Sequence, residues 1–452
     1  MDLNNIKTVY FIGVGGIGMS AIARYFNGRG AKVYGYDKTE TELTRTLAAE
    51  GIDIHYQEDV GRIPEAVDLV VYTPAVPNTH AELQYFQQQG MPVKKRAEVL
   101  GIISRGMKAI AIAGTHGKTT TTTLATYLLR ECGIDCTAFL GGIALDFETN
   151  FVEGSSDWVV VEADEYDRSF LHLSPDIAVV LSMDADHLDI YGDRESMHET
   201  GFRAFAKKLE PGGKLFLQYR WAKEMGDFPG LALFGVEGGS YRAVHIRVEN
   251  GYFTFDYQSP MHRLEGLQLS LPGRHNVENA TAAITVALEL GAAHQDIRRA
   301  LRTFRGIRRR FEFLYREKNR AFIDDYAHHP EELQATIGAA KELFPNQEVT
   351  GVFQPHLFSR TRDFADGFAR ALEQLDEIWL MDIYPAREAP IAGVDSAWLF
   401  EKINHPRKHL VQAGDVLQLA EERQPDILLT LGAGDIDLLR TPLKQYFEGQ
   451  RQ

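Results

Sequence analysis

The 452-residue sequence predicts an α/β protein of three domains, each built on a largely parallel sheet. Three observations carry that expectation. Apolar runs of strand length alternate with helical stretches along the whole chain. Two of those runs end in glycine turns that open a helix, at residues 13–18 and 114–120. The length suits about three domains, and 44% hydrophobic with 25% charged residues is the composition of an ordinary globular chain.

The first region, 1–105, starts with a strand at 8–12 and the turn Gly13-Val14-Gly15-Gly16-Ile17-Gly18. A helix follows to about residue 27, then a strand at 32–36 that ends on Asp37, and a buried strand at 69–72. This is a Rossmann-like pattern. Its physics is a diphosphate on a helix N-terminus, with a carboxylate near a ribose or base. Alone it suits a nicotinamide oxidoreductase equally well. Residues 104–108 are polar, contain a glycine and read as a linker.

The central region, 106–312, opens with an apolar strand at 109–113 that runs into Gly114-Thr115-His116-Gly117-Lys118-Thr119-Thr120. A helical pattern follows at 121–130. This is a P-loop in a short form, with two residues between the glycines. Glycines let backbone N–H groups converge on an anion, Lys118 reaches the outer phosphates, and the Thr119 hydroxyl suits Mg²⁺. A chain with two diphosphate sites handles a nucleotide-linked substrate and a nucleoside triphosphate. The strand at 158–161 ends in Glu162-Ala163-Asp164-Glu165, and strand ends of such sheets face the ligand crevice. Glu162 is therefore a candidate Mg²⁺ ligand. The strand at 177–181 leads to Asp186-His187-Leu188-Asp189. His187 alone reads as structural, since Mg²⁺ prefers oxygen; beside Glu162 and the P-loop it becomes a candidate ligand. Residues 214–271 suit additional strands, and 276–290 a helix carrying Asn276 and Asn279. Their amides suit an adenine edge or a phosphate, and Asn276 equally suits a capping role.

Arg308-Arg309-Arg310 precedes the third region, 313–452, where strands at 321–323, 348–353, 377–381 and 427–431 alternate with helices. This too reads as doubly wound and Rossmann-like. Asp324-Asp325-Tyr326-Ala327-His328-His329-Pro330 and Gln354-Pro355-His356 with Ser359-Arg360-Thr361-Arg362 both follow strands. Contacts to an amine and a carboxylate fit them better than a metal site does.

The net charge, 48 − 63 = −15, disfavours nucleic acid and anionic membrane as partners. The two cysteines, Cys132 and Cys136, are expected one helical turn apart at the end of the P-loop helix, as buried free thiols. Neither a signal peptide nor an 18-residue apolar run is present, which points to a cytoplasmic protein without membrane insertion.

Taken together, eight motifs resemble the Mur ligase family of peptidoglycan synthesis over essentially the whole chain. They are Gly15-Gly16-Ile17-Gly18-Met19-Ser20, residues 114–122, Glu162-Ala163-Asp164-Glu165, Asp186-His187-Leu188-Asp189, His275-Asn276-x-x-Asn279, Arg309-Arg310-Phe311-Glu312, residues 324–330 and Phe353-Gln354-Pro355-His356. The resemblance implies a UDP-substrate domain, a central ATPase and a C-terminal α/β domain. It implies ATP-driven joining of L-alanine to UDP-N-acetylmuramate through an acyl phosphate, with Mg²⁺. By that resemblance Gly15, Gly16, Ile17, Gly18 and Asp37 serve the UDP-substrate. Residues Gly114, Thr115, His116, Gly117, Lys118, Thr119 and Thr120 cradle ATP phosphates. Thr119, Glu162 and His187 hold the metal. Asn279, Arg310 and Asp325 contact ATP across a domain junction, and His328, His329 and Arg360 lie on the amino-acid side. The chain departs from the family pattern at Leu357, where many members carry Arg, and at Ser182, where many carry Asn. The alternatives are a murein-recycling ligase that adds a tripeptide to the same sugar nucleotide, and a nucleotide-binding regulator without chemistry.

Overall fold

The computed structural model describes residues 3–184, 188–386 and 388–449. His187 lies outside the described residues. Each of the three regions has its own sheet.

The first sheet is parallel throughout, in the order Asp53–His55, Lys32–Tyr36, Thr8–Ile12, Leu69–Tyr72, Val93–Lys95. Thr8–Ile12 sits where the chain reverses its direction of winding, so the glycine turn after it opens at the switch point. The central sheet runs Thr149–Val152, Thr137–Ala144, Trp158–Ala163, Lys108–Ala113, Ile177–Val180, Lys214–Gln218, Leu231–Val236. Tyr241–Glu249, Tyr252–Gln258 and Arg263–Leu269 extend it, as the alternation in 214–271 predicts. The P-loop strand Lys108–Ala113 pairs in parallel with Trp158–Ala163 on one side and Ile177–Val180 on the other. Both neighbours thus deliver their C-terminal loops to the same cradle. The third sheet runs Glu312–Arg316, Ala321–Asp325, Ile427–Leu431, Val349–Phe353, Glu377–Leu380, Lys408–Leu410. Only its first strand is antiparallel to its neighbour.

The chain forms two compact units: Met1–Val244 with Asp256–Leu267 and Glu278–Phe304, and His245–Phe255 with Gln268–Val277 and Arg305–Gln452. The expected boundary at 105/106 lies inside the first unit. One apolar core there runs from Val9, Phe11 and Phe26 through to Val159, Val161 and Phe205. Tyr25, on the helix Ile17–Gly28, packs on Phe139 and Phe151, with ring centroids 5.7 and 6.2 Å away. Asn150, fully buried, donates to the Ile17 carbonyl at 2.6 Å and to Ser20 Oγ at 2.9 Å, and its oxygen accepts from Arg24. Arg24 in turn pairs with Glu50 at 2.8 Å.

Two local expectations are corrected. The P-loop helix begins at Lys118, not 121, because Gly117 in the left-handed region (φ 80°) ends the turn. That helix stops at Glu131, so Cys132 caps it while Cys136 lies beyond it, next to the strand Thr137–Ala144. Burial pushes the thiols up, to about 11 at Cys132 and about 12 at Cys136, so both are poor nucleophiles. Among the described residues no helix is long and apolar enough to cross a membrane.

Candidate functional site

The P-loop cradle is built by three parallel strand ends. Gly114 (φ 140°) and Gly117 (φ 80°) hold backbone that L side chains rarely adopt. A Cβ at Gly114 would stand 2.8 Å from the Ser182 nitrogen, and one at Gly117 2.5 Å from Asn279 Oδ1. The turn is therefore pressed between the 181–184 loop and the Asn279 carboxamide. Ser182, the departure from the family pattern, fastens that turn. Its hydroxyl lies 2.9 Å from Thr115 Oγ1 and accepts the His116 N–H at 2.9 Å. The Asp184 N–H completes the contact by donating to Thr115 Oγ1 at 3.2 Å.

Lys118 Nζ donates to both oxygens of Glu165, at 2.7 and 2.9 Å, and to the Gly114 carbonyl at 2.8 Å. Asp164 stands 3.8 Å away. Burial alone would depress the Lys118 ammonium, but Glu165, Asp164 and Glu162 outweigh it and raise it, so the side chain stays cationic. One residue on, Thr119 donates to Glu162 at 2.9 Å. Gly141 backs this pair: a Cβ there would come within 1.9 Å of Glu162 Oε2 and 2.8 Å of Thr119 Oγ1. A hydroxyl and a carboxylate converging in a glycine-backed recess are a hard, all-oxygen donor set, which fits Mg²⁺. Thr120 is half-buried on the next position of the helix.

The first glycine turn is finished differently. Its Gly15 N–H donates to Asp37 Oδ2 at 2.7 Å, so the expected carboxylate is bound to the loop itself. Gly16 caps the helix without a side-chain bond, and Ile17 is exposed. A Cβ at Gly18 would lie 2.6 Å from an Arg96 guanidinium nitrogen, which brings the cation to this loop. Arg96 also faces Asp164 at 3.8 Å.

In the second unit Asp325 is buried at its strand end. It accepts the N–H groups of Phe311 and Ala327 at 2.9 and 2.8 Å and the Thr336 hydroxyl at 3.1 Å. Burial pushes its carboxyl up to about 6 even with Arg310 nearby. The arginine run divides. Arg309 is pinned by Asp324 and the Gly432 carbonyl. Arg310 is freer, against the Tyr326 ring at 5.6 Å and 3.9 Å from Glu332. His328, His356 and Arg360 come together. The two imidazole centroids are 6.1 Å apart, and Arg360 lies 3.4 Å from His356 Nδ1. Burial lowers His328, and lowers His356 to about 4, so both are neutral at pH 7. His329 goes elsewhere: it caps the helix Pro330–Leu343 and packs on Phe364. Leu357, at φ 70°, opens the Arg360 helix and takes the Thr361 N–H and hydroxyl on its carbonyl. Asn276 is the third residue of the helix Arg274–Glu289, and its amide donates to the Pro272 carbonyl just before that helix at 2.7 Å.

Gly141, Asp184 and Glu332 are neighbours that sequence reasoning missed, and Glu165 carried no role there beyond membership of the strand-end carboxylate run. The Gly141-Gly142 pair inside an apolar strand was the available signal for one of them.

Comparison with known proteins places this geometry. Residues 8–108 match the family model described as Mur ligase family, catalytic domain. Residues 112–287 match the Mur ligase middle domain, and 309–434 the Mur ligase, glutamate ligase domain. A UDP-N-acetylmuramate–L-alanine ligase of Christiangramia forsetii is 47% identical over 446 residues, 96% of either chain. The solved UDP-N-acetylmuramate-alanine ligase of Thermotoga maritima superposes with a TM-score of 0.84 at 28% identity, covering 98% of this chain and all of that one. A murein peptide ligase of Psychrobacter arcticus shares the fold, with a TM-score of 0.68 at 20% identity over 98% of each chain. This chain, a three-domain α/β protein, belongs to the Mur ligase family.

Proposed function

We propose that the protein joins L-alanine to UDP-N-acetylmuramate at the expense of ATP, a step of peptidoglycan precursor synthesis in the cytoplasm. The observation that carries the reading is the Lys118–Thr119–Glu162 cradle, in a chain 47% identical to a ligase named for that reaction. The substrate carboxylate attacks the γ-phosphorus of ATP in line, the bond to ADP breaks, and an acyl phosphate forms. The alanine amine attacks the acyl carbon, phosphate departs, and the amine gives up its proton.

Two anions must meet in the first step. The Lys118 ammonium offsets that repulsion, with the loop residues Gly114, Thr115, His116, Gly117 and Thr120 around it. Thr119, Glu162 and His187 hold Mg²⁺, which neutralises phosphate charge when bound. Asn279, whose carboxamide stands against Gly117, contacts the nucleotide. Gly15, Gly16, Ile17, Gly18 and Asp37 receive the UDP-substrate. Arg360 meets the alanine carboxylate, and His328 flanks it. His356, neutral beside Arg360, joins that group. The domains divide at 105/106 and 312/313.

The test is incubation with ATP, UDP-N-acetylmuramate and one amine donor at a time, following phosphate release and product mass. An alanyl product supports the reading. A product with tripeptide alone makes the protein a recycling ligase, and ATP left intact with every donor makes it a regulator.

A further inference from the structure

We propose that Glu165 is a positioning residue for Lys118, and that the strained turn behind it fixes where its carboxylate stands. The inference rests on the reading that Lys118 receives ATP phosphate. Glu165 is fully buried and the Lys118 side chain is 13% exposed. An ammonium has three donors, and all three are engaged: two on Glu165 and one on the Gly114 carbonyl. Glu165 therefore holds the Lys118 ammonium against the Gly114 carbonyl of the P-loop. Because two donors share one carboxylate, a change from two contacts to one frees an N–H for phosphate while the tether holds.

The tether has its own foundation. Glu165 leads into Asp167 (φ 51°, ψ 22°) and Arg168 (φ 56°, ψ 27°), two successive non-glycine residues in the left-handed region. Such backbone persists only where its surroundings over-determine it. Here Lys95 pairs with Asp167 at 2.9 Å, and the Arg168 N–H and the Tyr191 hydroxyl both donate to the Glu165 carbonyl, at 3.1 and 2.7 Å. The Arg168 guanidinium lies over the Tyr191 ring, 5.1 Å from its centroid. Lys95 directly precedes Arg96, the cation against Gly18. The side chain that aims the P-loop lysine is thus anchored on the region of the first glycine loop.

The test uses full-length protein and ATP-dependent phosphate release, with melting curves alongside. Glu165→Gln should lower kcat about tenfold to a hundredfold, the cost of a misplaced group, with the KM for UDP-substrate unchanged. The same change made on Lys118→Ala should cost nothing further, since Glu165 acts only through that ammonium. Asp167→Asn keeps a residue tolerant of left-handed backbone and removes only the ion pair. It should lower kcat several-fold at an unchanged melting temperature, and it stands in if Glu165→Gln does not fold. Wild-type kcat in Glu165→Gln or in Asp167→Asn overturns the proposal. So does a Glu165→Gln loss that repeats in full on Lys118→Ala. Normal turnover of Lys118→Ala alone would instead overturn the reading beneath it.

Discussion

The two glycine loops of the first unit share a backbone plan and differ in charge. Each follows an interior strand that pairs in parallel on both sides, at a switch point, and opens a helix of 12 or 14 residues. The first closes on an acid: Asp37 accepts the Gly15 N–H, and its cation, Arg96, comes from another strand end. The second carries its own cation, Lys118, which three neighbouring carboxylates keep charged. The strand–turn–helix unit supplies converging N–H groups in both places. Side chains from other strand ends decide what each loop holds. A loop whose amide is already bound to a carboxylate has one donor fewer for a diphosphate, and its acid suits a ribose or base instead. A loop with a buried ammonium suits a phosphoryl group that changes charge as it transfers.

The comparison breaks most visibly at Lys118. Lys118→Ala should cost roughly 2.7–4 kcal/mol in transition-state stabilisation, about 10²–10³ in kcat. UDP-substrate affinity, measured in parallel by calorimetry, should not move. Equal loss at both sites would erase the distinction between the loops.

A third strand-end acid sharpens it. Asp325 has a folded value of about 6 against 3.8 for a free carboxyl. A raised carboxyl stabilises below its unfolded value and loses that contribution as pH rises through its folded value. Stability relative to Asp325→Asn should therefore fall by about 3 kcal/mol between pH 3 and pH 7, most steeply between the two values, and then level off. Chemical denaturation of both proteins across that window checks the sign; a difference flat with pH refutes the buried-acid assignment.

Asp37→Ala removes the charged acceptor of the first loop. UDP-substrate binding should weaken by about 1.5–3 kcal/mol, with the KM for ATP unchanged. Gly141→Ala probes the second loop from behind. Its new Cβ would collide with Glu162, so stability should drop by about 1–3 kcal/mol, and half-maximal turnover should need more Mg²⁺. Titration with Mg²⁺ separates that metal effect from simple overpacking.

Much of this was legible in one dimension because the chemistry is local. Glycine turns after apolar runs, a lysine and hydroxyl pair at a helix start, and Glu162 at a strand end each fall within a few consecutive residues. The eight motifs in order then carried the family. What the sequence did not disclose depends on register between distant strands. Pairing of Lys108–Ala113 with both Trp158–Ala163 and Ile177–Val180 brings Glu165 and Ser182 to the P-loop. Neither had a local signal as a partner. His328 and His329, adjacent in sequence, part because one turns towards His356 and the other caps a helix and packs on Phe364. Asn150 reads as an ordinary polar residue, yet it is a buried joint between the helix Ile17–Gly28 and the central sheet. The sequence by itself determined which backbone units form and which reactive groups stand at their ends, since propensity, glycine backbone and charge are properties of neighbours along the chain. Only the tertiary structure decided which carboxylate faces which cation, because parallel strands place groups side by side that the chain separates by dozens of residues.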